Sequence, residues 1–447
     1  MTGSKVGARF VLVLAAVGAC SDRPSVPDAT LVITNVTVID GTDGEPLPDA
    51  AITIRGNRIA WVGARKELSA AEGVAAHDAG GAYVIPGLWD MHTHVLWEPF
   101  VSEGFLRLFL VNGVTGIRDM GGTLDVLSAV RPGAEFDSPM NPRVVAAGPW
   151  LNGFVIDPRA GIAVMSADEA RAAVGALDDA GVDFIKTYVQ LPPEAFYAAV
   201  DEAGRRGLPV SGHVPIGVSS REASDLGMRS IEHMRSETGG FCEEAGGRAG
   251  CEYLFDAFRR NGTWHTPTLL IRSNRALLDQ PSSIEDSTRR YTPAYLLEEW
   301  ATTLADRLGR ESLDELGRRY AAERDLAAHI HDAALPILAG SDAGDLFSLA
   351  GFSLHDELRL LVDAGLSPRE AIYAATRGPA EFLGATDSLG TIAPGRVADL
   401  VLLYGNPLDD IRNTTTILAV VRDGRLYDRA ALDDILSRVA EAAASPP

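Results

Sequence analysis

Apolar and polar residues alternate near both ends of the chain. LVITNVTVID (residues 31–40) and AITIRGNRIAWVG (51–63) put every second side chain on one face, with Gly and Asp-Gly punctuation between them. That is the pattern of half-buried strands. The same texture returns at Ala398–Leu403, Ile417–Arg422 and Asp423-Gly424. The flanking segments, residues 31–85 and 390–430, are expected to pair into one small β-sandwich domain made from both chain ends, with 431–447 as a helix or tail. Between them, residues 86–389 alternate apolar strand-like runs with helical patterns such as SADEARAAVGALDDAG and PPEAFYAAVDEAGRRG. The runs are Gly87–His94, Thr115–Asp119, Arg143–Ala147, Phe184–Tyr188, Pro209–Val214, Ser230–Met234, Thr263–Leu270 and Ile337–Asp342. Alternating β and α over about 300 residues suits an α/β fold with a parallel (β/α)8 TIM barrel. A doubly wound open sheet is the alternative. No GxGxxG or GxxxxGK[ST] follows any of these runs, so nucleotide binding has no support.

Composition narrows the picture a little. The chain has 447 residues, 46% hydrophobic and 23% charged, which is ordinary globular usage. A formal net charge of −21 would repel a phosphate backbone and argues against nucleic acid as a partner. It does not select a substrate, because a bound cation reverses the local field. Homo-oligomerisation is left open.

The first residues read as an address. Lys5 and Arg9 introduce the apolar run Phe10–Cys20, 11 residues long and too short to span a bilayer. Val17-Gly18-Ala19-Cys20 resembles a bacterial lipobox. That resemblance implies a signal peptide over residues 1–19, lipidation of Cys20 and a Pro-rich tether over residues 20–30. The protein would then be exported, periplasmic or in the cell envelope, with a lipid anchor in the membrane. An ordinary secretory signal with Cys20 incidental is the other reading. Cys242 and Cys251 are the remaining cysteines, in FCEEAGGRAGC. An oxidising compartment and a short closable loop make them a candidate disulfide, with two free thiols as the alternative.

The candidate chemistry starts at PGLWDMHTH, residues 86–94. His92 and His94 are two apart on an expected strand, so both imidazoles share a face. His-x-His alone also suits satisfied core histidines. The later candidates all sit near strand ends: Lys186 in DFIKTY, His213 closing PVSGH, His233 closing SIEH, and Asp342 closing ILAGSD. Active-site residues of parallel barrels come from the carboxyl ends of several strands. A lysine among Phe184, Ile185 and Tyr188 is costly to bury unpaired.

Taken in order, PGLWDMHTH, IK, GH, EH and GSD, followed by SPREAIYAATRGPAEFLG and LGTIAPGRVADLVLL, resemble the amidohydrolase superfamily, in particular proteins related to imidazolonepropionase and the metal-dependent prolidases. The resemblance spans roughly residues 31–430 and implies a two-metal site, with zinc the natural ion for such donors. His92, His94 and Asp342 would hold one ion, and His213 and His233 the other. Lys186 would carry a CO2-derived carbamate bridging both; a structural lysine paired with an acid is the alternative. The implied reaction is hydrolysis of a small-molecule amide, such as a dipeptide or N-acyl amino acid, with Asp342 moving the proton. Tyr188 and Arg118 are candidate donors to a substrate carboxylate, although Arg118 could instead pair with Asp119. His265 and His355 are weaker pocket candidates, with a barrel-wall and a helix-start role as their plainer readings. A deaminase or lactonase on the same site, and an exported binding lipoprotein without catalysis, remain the rival functions.

Overall fold

The computed structural model describes residues 28–68, 74, 76–155, 160–233, 242, 248–276 and 286–445. The signal segment, Cys20 and most of the tether lie outside them.

The alternating segments at the chain ends fold as expected of period-two sequences. The first four strands are β1 (Leu31–Val38), β2 (Leu47–Arg55), β3 (Arg58–Ala64) and β4 (Ala76–Pro86). From the far end come strands Leu400–Leu403, Ile417–Arg422 and Arg425–Asp428. All seven join in one sheet, stitched where Leu400 of the C-terminal part stands opposite Pro86 of the N-terminal part. The expected sandwich is therefore one continuous hydrogen-bonded sheet. Its alternating inward residues, Ile33, Ile52, Ile54, Val84, Leu400, Leu402 and Val421, form a core of their own. Each fully buried aliphatic side chain there contributes roughly 1.5–3 kcal/mol.

From Pro86 the chain enters the central region through Gly87. A Cβ at this position would stand 2.2 Å from Thr115 Oγ1, so only glycine lets the two strands approach. Here lie β5 (Leu88–Thr93), β6 (Val114–Asp119) and β7 (Arg143–Ala146), a parallel three-stranded sheet. A second, six-stranded parallel sheet holds β8 (Trp150–Asn152), β9 (Gly161–Ala163), β10 (Ile185–Thr187), β11 (Val210–Gly212), β12 (Ser230–Glu232) and β13 (Trp264–Thr266). β8 and β9 lie outside the eight expected runs. The eighth run, Ile337–Asp342, forms no ladder. It attaches through isolated parallel bridges, His265 with Ile337 and Thr93 with Ala343, and its backbone leaves the extended region at Asp342, φ 58°. The described hydrogen bonding is thus two parallel sheets and a bridged segment rather than one eight-stranded ladder.

Helices pack around these strands. SADEARAAVGALDD shows why they form: Ser166 caps Ala167–Asp179 by accepting from Glu169 N, and Ala170, Val174 and Leu177 make one buried stripe, as helical spacing requires. Thr263–Leu270, expected as one strand, stops at Thr266 and continues as the helix Leu269–Ala276. Thr268, φ 49°, makes the turn between them. No helix among the described residues is long and apolar enough to cross a membrane. Cys242 and Cys251 are joined by a disulfide, their Cα atoms 4.6 Å apart.

Candidate metal centre

Period two carries Asp90, His92 and His94 to the same side of β5 and its end. His92 is fully buried and His94 nearly so. The chain returns at Asp342, whose amide donates to His92 O at 2.8 Å, and His94 N donates to Ala343 O at 2.7 Å. Gly344 lets this loop lie across His94, since a Cβ there would meet His94 O at 1.9 Å. The result brings His92, His94 and Asp342 together as a buried donor cluster.

Its geometry fits a cation. His92 Nε2 stands 3.4 Å and His94 Nε2 3.5 Å from the same oxygen, Asp342 Oδ1. His92 Nε2 is buried and makes no hydrogen bond to the described residues. Burial, reinforced by nearby positive charge, lowers the pKa of His92 and takes that of His94 well below the ordinary value, so both rings are neutral at pH 7. Two lone-pair donors converging on a carboxylate oxygen repel one another unless a cation lies between them, and that is the donor set such an ion requires.

The other histidines adjoin this cluster. The His233 ring centroid is 4.7 Å from that of His92, and His213 stacks on His233 at 4.6 Å. Asp342 Oδ2 lies 4.0 Å from His233 Nδ1. His233 adopts φ 66°. That left-handed turn breaks the strand's alternation and lets both Glu232 and His233 serve the centre. Lys186 is fully buried on β10, against β11: a Cβ on Gly212 would meet Lys186 Cδ at 2.8 Å. Tyr188 forms the wall beside His213, ring centroids 4.4 Å apart, and stacks on Trp150 at 5.2 Å; Trp150 in turn abuts His94 at 5.7 Å.

Arg118 loses its substrate-contact role, and His265 and His355 take the plainer of their two readings. Arg118 does not face a substrate. It is 1% exposed and spends its guanidinium inside the sheets, on Met91 O at 2.7 Å, Ser230 Oγ at 2.9 Å, Glu232 Oε1 at 2.7 Å and Thr266 Oγ1 at 3.2 Å. Strand parity points it inward with Ser230, Glu232 and Thr266; its partner is Glu232 rather than Asp119. His265 has the opposite parity to Thr266, so it faces the outer helices and packs on Phe258 at 4.7 Å. Its pKa falls to about 3 through burial. His355 lies between the central region and the C-terminal segment, bonded to Asn112 O at 3.1 Å and Thr414 Oγ1 at 3.0 Å. It too is buried and neutral, its pKa lowered to about 4.

A layer of supporting residues went unnoticed in the sequence. Glu232 Oε2 is 2.8 Å from His92 Nδ1. Burial alone would raise the pKa of Glu232, but Arg118 and His92 outweigh it and hold the carboxylate well below its ordinary range. Asp90 accepts from Ser341 N at 3.0 Å and Ser341 Oγ at 2.5 Å, fastening the Asp342 turn to the His92 strand. Burial raises its pKa to about 7. Thr268 Oγ1 is 2.6 Å from His233 Nδ1. Glu357, pushed up to about 8 by burial, receives Leu269 N at 3.0 Å and Leu270 N at 2.8 Å and so holds the turn that carries Thr268. Asp90 and Glu232 were detectable: one lies two residues before His92, the other directly before His233.

A parallel α/β fold with buried imidazoles and an aspartate at its strand ends defines a metal-dependent hydrolase. Residues 83–427 match the family model described as Amidohydrolase family; the chain belongs to that family and is a metal-dependent amidohydrolase. An imidazolonepropionase from Cupriavidus taiwanensis is 25% identical over 421 residues, covering 87% of this chain and 93% of its own. An adenine deaminase from Rubrobacter xylanophilus is 24% identical over 422 residues and 91% of this chain, which spans 59% of that longer protein. Among solved structures, a candidate prolidase from Bifidobacterium longum superposes with a TM-score of 0.73 at 25% identity, covering 92% of this chain and 98% of that one. Likeness to such structures implies a TIM-barrel-like fold with an additional domain.

Proposed function

We propose that the protein is a binuclear hydrolase that cleaves the amide bond of a dipeptide or N-acyl amino acid. The observation carrying this reading is the buried His92, His94 and Asp342 cluster with the rings of His233 and His213 stacked beside it. His92, His94 and Asp342 would hold one divalent ion, His213 and His233 a second, and a carbamate on Lys186 would supply an oxygen to each. Bound there, divalent zinc acidifies a water and polarises a carbonyl.

The chain's own groups do the rest. Asp342, beside His92 and His94, takes the proton of the attacking water on a carboxylate oxygen and returns it to the departing nitrogen. Trp150 and Tyr188 wall the centre. Tyr188 is the candidate donor to a substrate carbonyl or carboxylate, now that Arg118 is withdrawn. The prolidase-like neighbour supports the dipeptide class, while the imidazolonepropionase and adenine deaminase relatives keep a cyclic-amidine or amine-releasing substrate as the competing outcome. The test is a screen of zinc-loaded protein on dipeptides, N-acyl amino acids, lactones and cyclic amidines. Turnover confined to the last two groups overturns the proposal. The lipobox-like Val17–Cys20 supports an exported, lipid-anchored form, which Cys20→Ser should release from membranes.

A further inference from the structure

We propose that Glu232, locked by Arg118, is a positioning residue for His92, and that it makes the ion at His92, His94 and Asp342 the more tightly held of the two. The inference rests on the binuclear reading above.

The bracing of the histidines is chemically unequal. His92 Nδ1 faces a carboxylate at 2.8 Å. His233 Nδ1 faces the Thr268 hydroxyl at 2.6 Å, and His94 Nδ1 faces the Gly121 carbonyl at 3.4 Å. A charge-assisted bond is roughly twice as strong as a neutral one. A carboxylate behind an imidazole keeps the ring proton on Nδ1 and leaves Nε2 a better donor. On that argument His92 is better oriented and a stronger donor than His94 or His233.

The carboxylate itself is fixed. Its Oε1 accepts from Arg118 Nη2 at 2.7 Å and from Ser230 Oγ. Arg118 also grips Met91 O at 2.7 Å, the residue before His92, so one buried network holds the ring of His92 and the backbone beside it. Glu232, His92 and Arg118 are all at most 1% exposed, away from bulk water.

The test is stepwise removal of zinc from full-length protein by dialysis against graded chelator, with metal per chain read by elemental analysis. Wild type should lose its ions in two steps. Glu232→Gln keeps the size and an acceptor oxygen but removes the charge. It should weaken the tighter step by about 10–100-fold and leave the weaker step in place. Because this change strands the Arg118 charge, Glu232→Gln/Arg118→Met is measured beside it. The pair should regain stability of the metal-free protein but not the tight step. If neither folds, Ser230→Ala decides, since it removes only the hydroxyl bracing Glu232 and should loosen the tighter ion several-fold. A tight step unmoved in the folded variants, a shift in the weaker step instead, or a single step for both ions in wild type overturns the inference. Wild type holding one ion or none overturns the binuclear reading itself, so the two failures are distinguishable.

Discussion

Replacing Arg118 by Met separates two roles for this arginine that look alike in sequence. Met fills much of the side-chain volume but removes a guanidinium with four partners: a backbone carbonyl, two hydroxyls and the Glu232 carboxylate. Glu232 would then remain as a buried charge without its counter-ion. Breaking such a pair from one side costs about 3–5 kcal/mol, a large part of the roughly 5–15 kcal/mol that holds a domain together. Urea unfolding of metal-free Arg118→Met should show that loss. A companion assay compares kcat/KM on an N-acyl amino acid and on its C-terminal amide. An arginine that anchored the substrate carboxylate would take about tenfold, or roughly 1.4 kcal/mol, out of that ratio when removed. An internal pillar leaves the ratio unchanged in whatever fraction stays folded. A stability loss below about 1 kcal/mol together with a collapsed ratio would refute the placement of Arg118 and restore it as a substrate contact.

Two further outcomes follow from the same geometry. Asp342→Asn should lower kcat by on the order of 10²–10⁴ with His92 and His94 still able to bind metal; full activity in that variant removes Asp342 from proton transfer. His355 is buried and neutral, its pKa lowered to about 4, while the unfolded chain takes up that proton near pH 6.5. Stability of the metal-free protein should therefore fall as pH drops from 6.5 toward 4, and His355→Gln should flatten that limb by up to about 3 kcal/mol in chemical denaturation. Parallel wild-type and variant curves would show that His355 is not held neutral.

Much of this molecule was legible before its structure. Seven of the eight expected runs contain a parallel strand, because short apolar runs alternating with helical patterns suit a parallel sheet. The His92, His94 and Asp342 cluster was legible too, since strand parity and strand ends constrain it. Parity misled where the backbone turns left-handed: at His233 and Asp342 adjacent residues both face inward, so Glu232 escaped notice behind His233. Arg118 was misread because a strand end reveals nothing of depth. Its partners Ser230, Glu232 and Thr266 lie more than 100 residues away, and only the tertiary packing of the two parallel sheets brings them together. His355 and His265 were left with two readings each for a related reason. A histidine at a helix start or on a strand faces one of two layers, and the sequence alone does not say which.

The central claim is that two divalent ions share a centre bridged through Lys186. It is tested most directly by elemental analysis of active, zinc-loaded protein alongside Lys186→Ala. The account expects two ions per chain in the wild type. In Lys186→Ala it expects loss of metal and activity, with partial recovery when a short carboxylic acid is supplied. One ion or fewer in fully active wild type, or two ions and full activity without the lysine, would contradict it.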